Sequence, residues 1–226
     1  LDPTWSLAVE EQYYLIWPLA LLLLPRRWIV PSLGIAIVVN VAGGAGILAQ
    51  VGINAVEIGL LHIALPTATY APILMGSLLA IMLNAPRGFA MLYTICGTQY
   101  SAALWMLAVL LSLQFLPLDL NGWPNLVLHS FMVLALASLV IREDNALRPA
   151  LTFTPIRHVG RVSYGIYLYH LIALHFANKG LGMLGISGGW AVLLLYAVLS
   201  VFVADLSFRF FESYFLAMRH RMKTED

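Results

Sequence analysis

Two adjacent carboxylates, Glu10 and Glu11, stand where Trp5-Ser6-Leu7-Ala8-Val9-Glu10-Glu11-Gln12-Tyr13-Tyr14 runs into the apolar stretch from Leu15 to Leu24. An ionisable group at the mouth of a bilayer span is costly unless it faces a polar cavity, which makes these carboxylates functional candidates. On a helix Glu10, Tyr14, Trp17 and Leu21 share one face, while Glu11, Leu15 and Pro18 share another. A carboxylate there could orient or deprotonate a hydroxyl, or hold an imidazole in its useful tautomer. The competing reading is architectural: Ser6 as a helix N-cap, with Glu10 as a partner of the helix dipole.

A second cluster is Gly160-Arg161-Val162-Ser163-Tyr164-Gly165-Ile166-Tyr167-Leu168-Tyr169-His170. Ser163, Tyr167, His170 and Leu174 fall on one helix face, and His170 lies about 13 Å along the helix from Arg161. A histidine near mid-membrane is expensive unless hydrogen-bonded, so it is expected to face the bundle interior with a hydroxyl partner. It would serve either as a tie between helices or as a polar wall of a substrate channel. Asp205, Arg209 and Glu212 have the spacing of a local ion network. Arg148, Arg157, His158 and Arg161 form a basic loop that could meet phosphates.

The elements that must position these groups follow from composition. Hydrophobic residues make up 61% of the 226 and charged residues 10%, with a mean hydropathy of +0.87. Uncharged runs at 28–56, 58–86, 88–118, 120–141, 162–178 and 180–204 reach or approach the roughly 20 residues a helix needs to cross a bilayer. They lack the alternation of a membrane barrel. The fold class is therefore all-α, a polytopic transmembrane bundle of about seven spans: 9–25, 29–49, 65–83, 99–117, 124–141, 162–178 and 190–211. Gly97-Thr98 breaks the long run 88–118, giving an interfacial helix at 88–96 and one span. Pro149 and Pro155 interrupt the loop 142–161. This count puts eleven of the twelve Lys and Arg on one side, leaving Lys179 alone on the other. The C-terminus is then cytoplasmic and the Glu10 motif external. No basic stripe is left over for nucleic acid. Cys96 is the only cysteine, without metal-ligand spacing, and reads as a small apolar residue. No metal site is visible.

The Trp5–Tyr14 string resembles the signature of the acyltransferase 3 family, close to W-S-L-x-V-E-E-Q-F-Y-L, with Tyr13 standing where Phe is usual. The second cluster is similar to the family's later pattern, roughly G-x-x-S-Y-x-x-Y-L-x-H. The end of the last span is similar to S-Y-x-x-x-E-x-P, with Ser213-Tyr214 replacing the proline. Pro66–Ala80 resembles a family stretch that carries an Arg and an Asp where this chain has Thr69 and Ala71. The resemblance implies a single membrane acyltransferase-type domain over 1–226, lacking its N-terminal spans and so a fragment of a domain of ten or more. It implies transfer of an acyl group, acetyl first, from an acyl-CoA donor, with no bound cofactor. The acceptor would be a glycan, lipid-linked sugar or other hydroxyl compound at the inner membrane of a bacterium. Glu10 is then the catalytic candidate, with Glu11 as second. Ser6, Tyr14, Ser163, Tyr167 and His170 would line a substrate channel, and Arg148, Arg157 and Arg161 would take the donor's phosphates. The family's main catalytic histidine follows an Arg or Lys by eleven positions. His62 and His170 have Val51 and Val159 there, so that histidine is expected upstream. The alternative is a small-molecule or lipid-linked transporter or flippase, and a structural subunit is a third option.

Overall fold

The structure is a computed structural model describing residues 2–50, 55–58, 61–64, 70–117, 122–183, 185 and 189–213, with backbone alone at 2–9, 49, 55–58, 61–64 and 212. Eleven helices appear among these residues: α1 Asp2–Leu23, α2 Arg26–Gly44, α3 Ile47–Gln50, α4 Ala71–Asn84, α5 Pro86–Cys96, α6 Ser101–Phe115, α7 Trp123–Ile141, α8 Arg148–Leu151, α9 Thr154–Arg161, α10 Ser163–Met183 and α11 Gly189–Ser207. A π-helical turn, Phe208–Glu212, extends α11. Between α3 and α4 lies one short antiparallel hairpin, β1 Ala55–Ile58 with β2 Leu61–Ala64.

Prolines set most of the boundaries. Pro25 ends α1 and, in an extended conformation, caps α2. Ala85, preceding Pro86, is likewise extended, as the clash with a following proline ring demands. There α4 and α5 turn by 107°. A side chain at Gly88 would come within 2.5 Å of the Met82 carbonyl, so the corner needs glycine. Pro149 and Pro155 stand in the first turns of α8 and α9, where a missing N–H costs nothing. The loop 142–161 is thus two short helices and not one.

Three helices, at 26–44, 123–141 and 189–211, are long and apolar enough to cross a membrane, or four spans if the bent α4–α5 pair counts as one. α6 is a shorter apolar helix. Among the described residues, then, the helical class is as expected, and the span count reaches three or four by this measure rather than seven. The helices that fall outside it, α1 and α10, are the two diluted by the polar motif residues. Leu22, Leu23, Phe115 and Trp190 are 79–81% exposed, a surface suited to hydrocarbon and not to water.

The chain divides into two compact units, one of Ser6–Arg148 and one of Pro149–Asp226 with Leu1–Trp5. In the first, Leu79, Leu92, Cys96 and Ala137 form a buried core against Trp105, Val133 and Leu134. Cys96 is fully buried, its thiol 3.6 Å from the Leu134 carbonyl. Trp105 stacks on Phe131, tying α6 to α7. Arg142 closes this unit with a bidentate pair to Asp144 at 2.9 and 3.1 Å and a 3.1 Å bond to the Gly97 carbonyl. The Asp144 carboxyl is held below its ordinary range, chiefly by the hydrogen bond from Arg142.

In the second unit α10 and α11 pack through small residues. Gly165, Ala173 and Ala177 are buried on one helix and Ser200 and Ala204 on the other, which lets backbones approach closely without a hydrophobic drive. A Cβ at Gly165 would stand 3.1 Å from the Ala204 Cβ. Gly165→Leu is expected to cost about 1–3 kcal/mol through overpacking and to lower the unfolding temperature in detergent. An unchanged transition would show that the seam can open freely.

Candidate functional site

The motif helix α1 begins at Asp2, so Ser6 is an interior helical position and not the N-cap. That removes the capping alternative for Glu10, which lies in the third turn, beyond the reach of the helix dipole. The Ser6 side chain is outside the described residues. Glu10 and Glu11 are both exposed. Glu10 stands one turn before Tyr13 on the face that continues through Trp17, while Glu11 is about 100° further round.

Tyr13, not Tyr14, turns to the interior. Tyr13 is 8% exposed against 63% for Tyr14. Its ring stacks on Trp17 at 5.7 Å, and its hydroxyl lies 2.5 Å from Ser77 Oγ on α4. The sequence carried a signal for this, because Tyr13 replaces the usual Phe and its added hydroxyl needs a partner. Beside it the Tyr70 hydroxyl donates to Gln12 Oε1 at 2.9 Å. Asn40 on α2 accepts from the backbone N–H groups of Tyr70 and Ala71, both at 3.0 Å. These two donors open α4 and have no partner within it. Neither Asn40 nor Tyr70 was singled out from sequence. An Asn at an apolar position in a long helix was the available clue.

Tyr13, Gln12, Asn40 and Tyr70 border a cavity of about 430 Å³ between α1, α2 and α4, whose other lining side chains are apolar except for Ser32. It is a partly open apolar pocket with a few convergent polar groups.

The His170 cluster belongs to the other compact unit. Ser163 opens α10 and is exposed, and Tyr167 is 38% exposed. His170 Nδ1 is 2.6 Å from the Tyr167 carbonyl, and its ring stacks on Tyr167 at 5.9 Å. Its partner is therefore a backbone carbonyl in place of the expected hydroxyl. A carbonyl only accepts, so Nδ1 is the donor in this bond. The interhelical hydroxyl tie is made one residue earlier, by Tyr169 to Ser207 Oγ at 3.2 Å. Tyr169 falls on the Gly165–Ala173–Ala177 seam, and His170 is about 100° off it.

The ion network at the end of α11 forms as expected between Asp205 Oδ2 and Arg209 Nε at 2.7 Å. Its other partner is His158 Nε2, 3.2 Å from Asp205 Oδ1, which sequence placed only in the basic loop. The Glu212 side chain is outside the described residues. Arg157 and Arg161 are exposed one turn apart on α9, while Arg148 begins α8. Among the described residues no three His, Cys, Asp or Glu side chains gather as a metal would require.

The chain is thus an apolar helical bundle whose carboxylate motif stands on α1 two residues before the cavity lining begins at Gln12, and comparison with known proteins gives its class. The chain belongs to the acyltransferase family whose model is described as "Acyltransferase domain", which matches residues 1–209. It is an integral membrane protein. It is similar to the peptidoglycan O-acetyltransferase OatA of Listeria monocytogenes, 28% identical over 94% of this chain and 35% of the relative. It is also similar to the O-acetyltransferase OatA of Staphylococcus aureus, 25% identical over 94% of this chain and 36% of the relative. The chain spans about a third of the length of these relatives. No solved structure matches it.

Proposed function

We propose that this chain is part of an O-acetyltransferase of the bacterial inner membrane, moving an acetyl group from acyl-CoA to a glycan hydroxyl, that of peptidoglycan first. The observation that supports this reading is Glu10 one turn before the stacked Tyr13 and Trp17 on α1, in a chain whose relatives carry that activity in their names. The positive-inside rule puts the basic loop and C-terminus in the cytoplasm and Glu10 outside, and seven spans remain the count that keeps those charges together.

The chemistry is an acyl exchange. The acceptor hydroxyl loses its proton to Glu10, directly or through an imidazole that Glu10 holds, and its oxygen attacks the thioester carbonyl. The carbon–sulfur bond breaks, and the thiol leaves with a proton. Ser6 and Tyr14 in one unit, and Ser163, Tyr167 and His170 in the other, are each the candidate residues for contact with acceptor or acyl group. Arg157 and Arg161, one turn apart on α9, hold the donor's phosphates, and Arg148, in the other unit, is a separate candidate for them. Glu11 is the reserve carboxylate.

The test uses membranes containing the complete natural protein, supplied with labelled acetyl-CoA and peptidoglycan. Label should appear in alkali-labile esters on the glycan. The double variant Arg157→Ala/Arg161→Ala should raise the donor KM about a hundredfold or more, each lost charge-assisted contact being worth roughly 1.5–3 kcal/mol, with kcat largely kept. Absence of glycan ester, or a donor KM indifferent to both arginines, would overturn the corresponding assignment.

A further inference from the structure

The helix α9 has eight residues, none of them buried. A helix that short is marginal in water and depends on what its apolar face packs against. With about 100° between successive residues, Pro155, Ile156 and Val159 share one arc of α9, and Arg157 and Arg161 lie nearly opposite. The apolar arc is uncovered. Ile156 is 47% exposed and Val159 41%, and Phe153, just before the helix, is 60% exposed.

The position of α9 tells what covers that arc. His158 Nε2, 3.2 Å from Asp205 Oδ1, ties it to α11, and Asp205 lies within two turns of the end of the span-length apolar helix 189–211. The helix α9 thus stands at the level where a span leaves hydrocarbon. Back along α11 from Asp205, the residues that border His158 include Phe202, Val201 and Val198. Val198 and Phe202 are mostly exposed, so this side of α11 faces lipid, and hydrocarbon begins next to α9.

We infer that α9 lies in the plane of the bilayer surface, with its Pro155–Ile156–Val159 arc sunk to the headgroup–acyl boundary of a leaflet carrying anionic phospholipid. A helix with an apolar arc opposite an arginine arc settles at that boundary. Charge selects the leaflet: from Pro149 to Arg161 the chain has two arginines and no carboxylate, and a negative lipid surface attracts such a segment. The arginine arc is left facing water, where the donor's phosphates would arrive. That consequence rests on the acyltransferase reading, whereas the seating of α9 does not.

The complete protein is reconstituted in phosphatidylglycerol and, separately, in phosphatidylcholine bilayers, with a nitroxide on a single introduced cysteine. Oxygen, which enters lipid, and a water-soluble nickel chelate, which does not, together report the depth of the label. In phosphatidylglycerol, Ile156→Cys should read about 5–10 Å inside the headgroup boundary and Arg157→Cys outside it, with Val198→Cys on α11 as the lipid reference. In phosphatidylcholine the Ile156 label should sit shallower. Adding Val159→Asp should open it to nickel. Nickel reaching the 156 and 157 labels alike would overturn the seating. A 156 label closed to both reagents would mean that protein covers the arc, and would overturn it too. Equal depths in the two lipids would overturn the anionic leaflet. Depth is read without acyl transfer, so a protein that forms no glycan ester but gives these depths loses the proposed function and keeps the surface helix.

Discussion

Glu10→Gln is expected to lower acyl transfer by a factor on the order of 100 to 10,000, while the protein remains folded in the membrane. Glutamine keeps the side chain's shape and part of its hydrogen bonding but removes the charge and the base. The architectural alternative gives a much smaller number, since a lost cap costs about 1 kcal/mol of stability and leaves turnover per folded molecule alone. With α1 beginning at Asp2, Glu10 has no cap to lose. Glu11→Gln is the neighbouring control. It removes the same charge from a position off the Tyr13–Trp17 face, and a clearly smaller loss is expected. The measurement is acceptor acylation per membrane-inserted molecule, and near-normal turnover in Glu10→Gln would take the chemistry away from this helix.

Asn40→Leu should give the largest stability effect. It strips the Asn40 Oδ1 acceptor from two backbone donors, the N–H groups of Tyr70 and buried Ala71. Each buried unpaired donor costs about 1–3 kcal/mol, so about 2–6 kcal/mol is expected in unfolding measured in detergent. Tyr70 would shift with the end of α4 and lose its bond to Gln12, so donor or acceptor KM should rise in the molecules that remain folded. Asn40→Asp keeps an acceptor oxygen and should recover part of the loss. A change within about 0.5 kcal/mol, the range of an ordinary surface substitution, would mean that water or another group caps α4 equally well.

The helical layout was legible because hydrophobic run length and proline position act locally. α7 at Trp123–Ile141 and α10 from Ser163 lie within a few residues of the spans drawn from sequence, and the break at Gly97-Thr98 falls between α5 and α6. The Asp205–Arg209 pair was legible for the same reason, being one turn apart. Groups that meet across helices were not. Spacing on α1 put Tyr14 with Glu10 and gave no reason to prefer Tyr13, because the choice depends on Ser77, 64 residues away. His158 read as one more basic-loop residue until α11 brought Asp205 to it. His170 was expected to find a hydroxyl, yet a carbonyl within its own helix satisfies it first. A local acceptor asks for no assembly of distant elements, and periodicity alone does not rank it against a remote one.

The enclosure of Cys96 has a practical consequence. A thiol that is deeply buried and donates to a carbonyl is hard to reach, so it stays inert to charged maleimides. These 226 residues therefore form a nearly silent background for thiol chemistry. A single cysteine introduced at exposed Glu143 would report which side of the bilayer its reagent came from, with no need to remove the native one and disturb the core it fills.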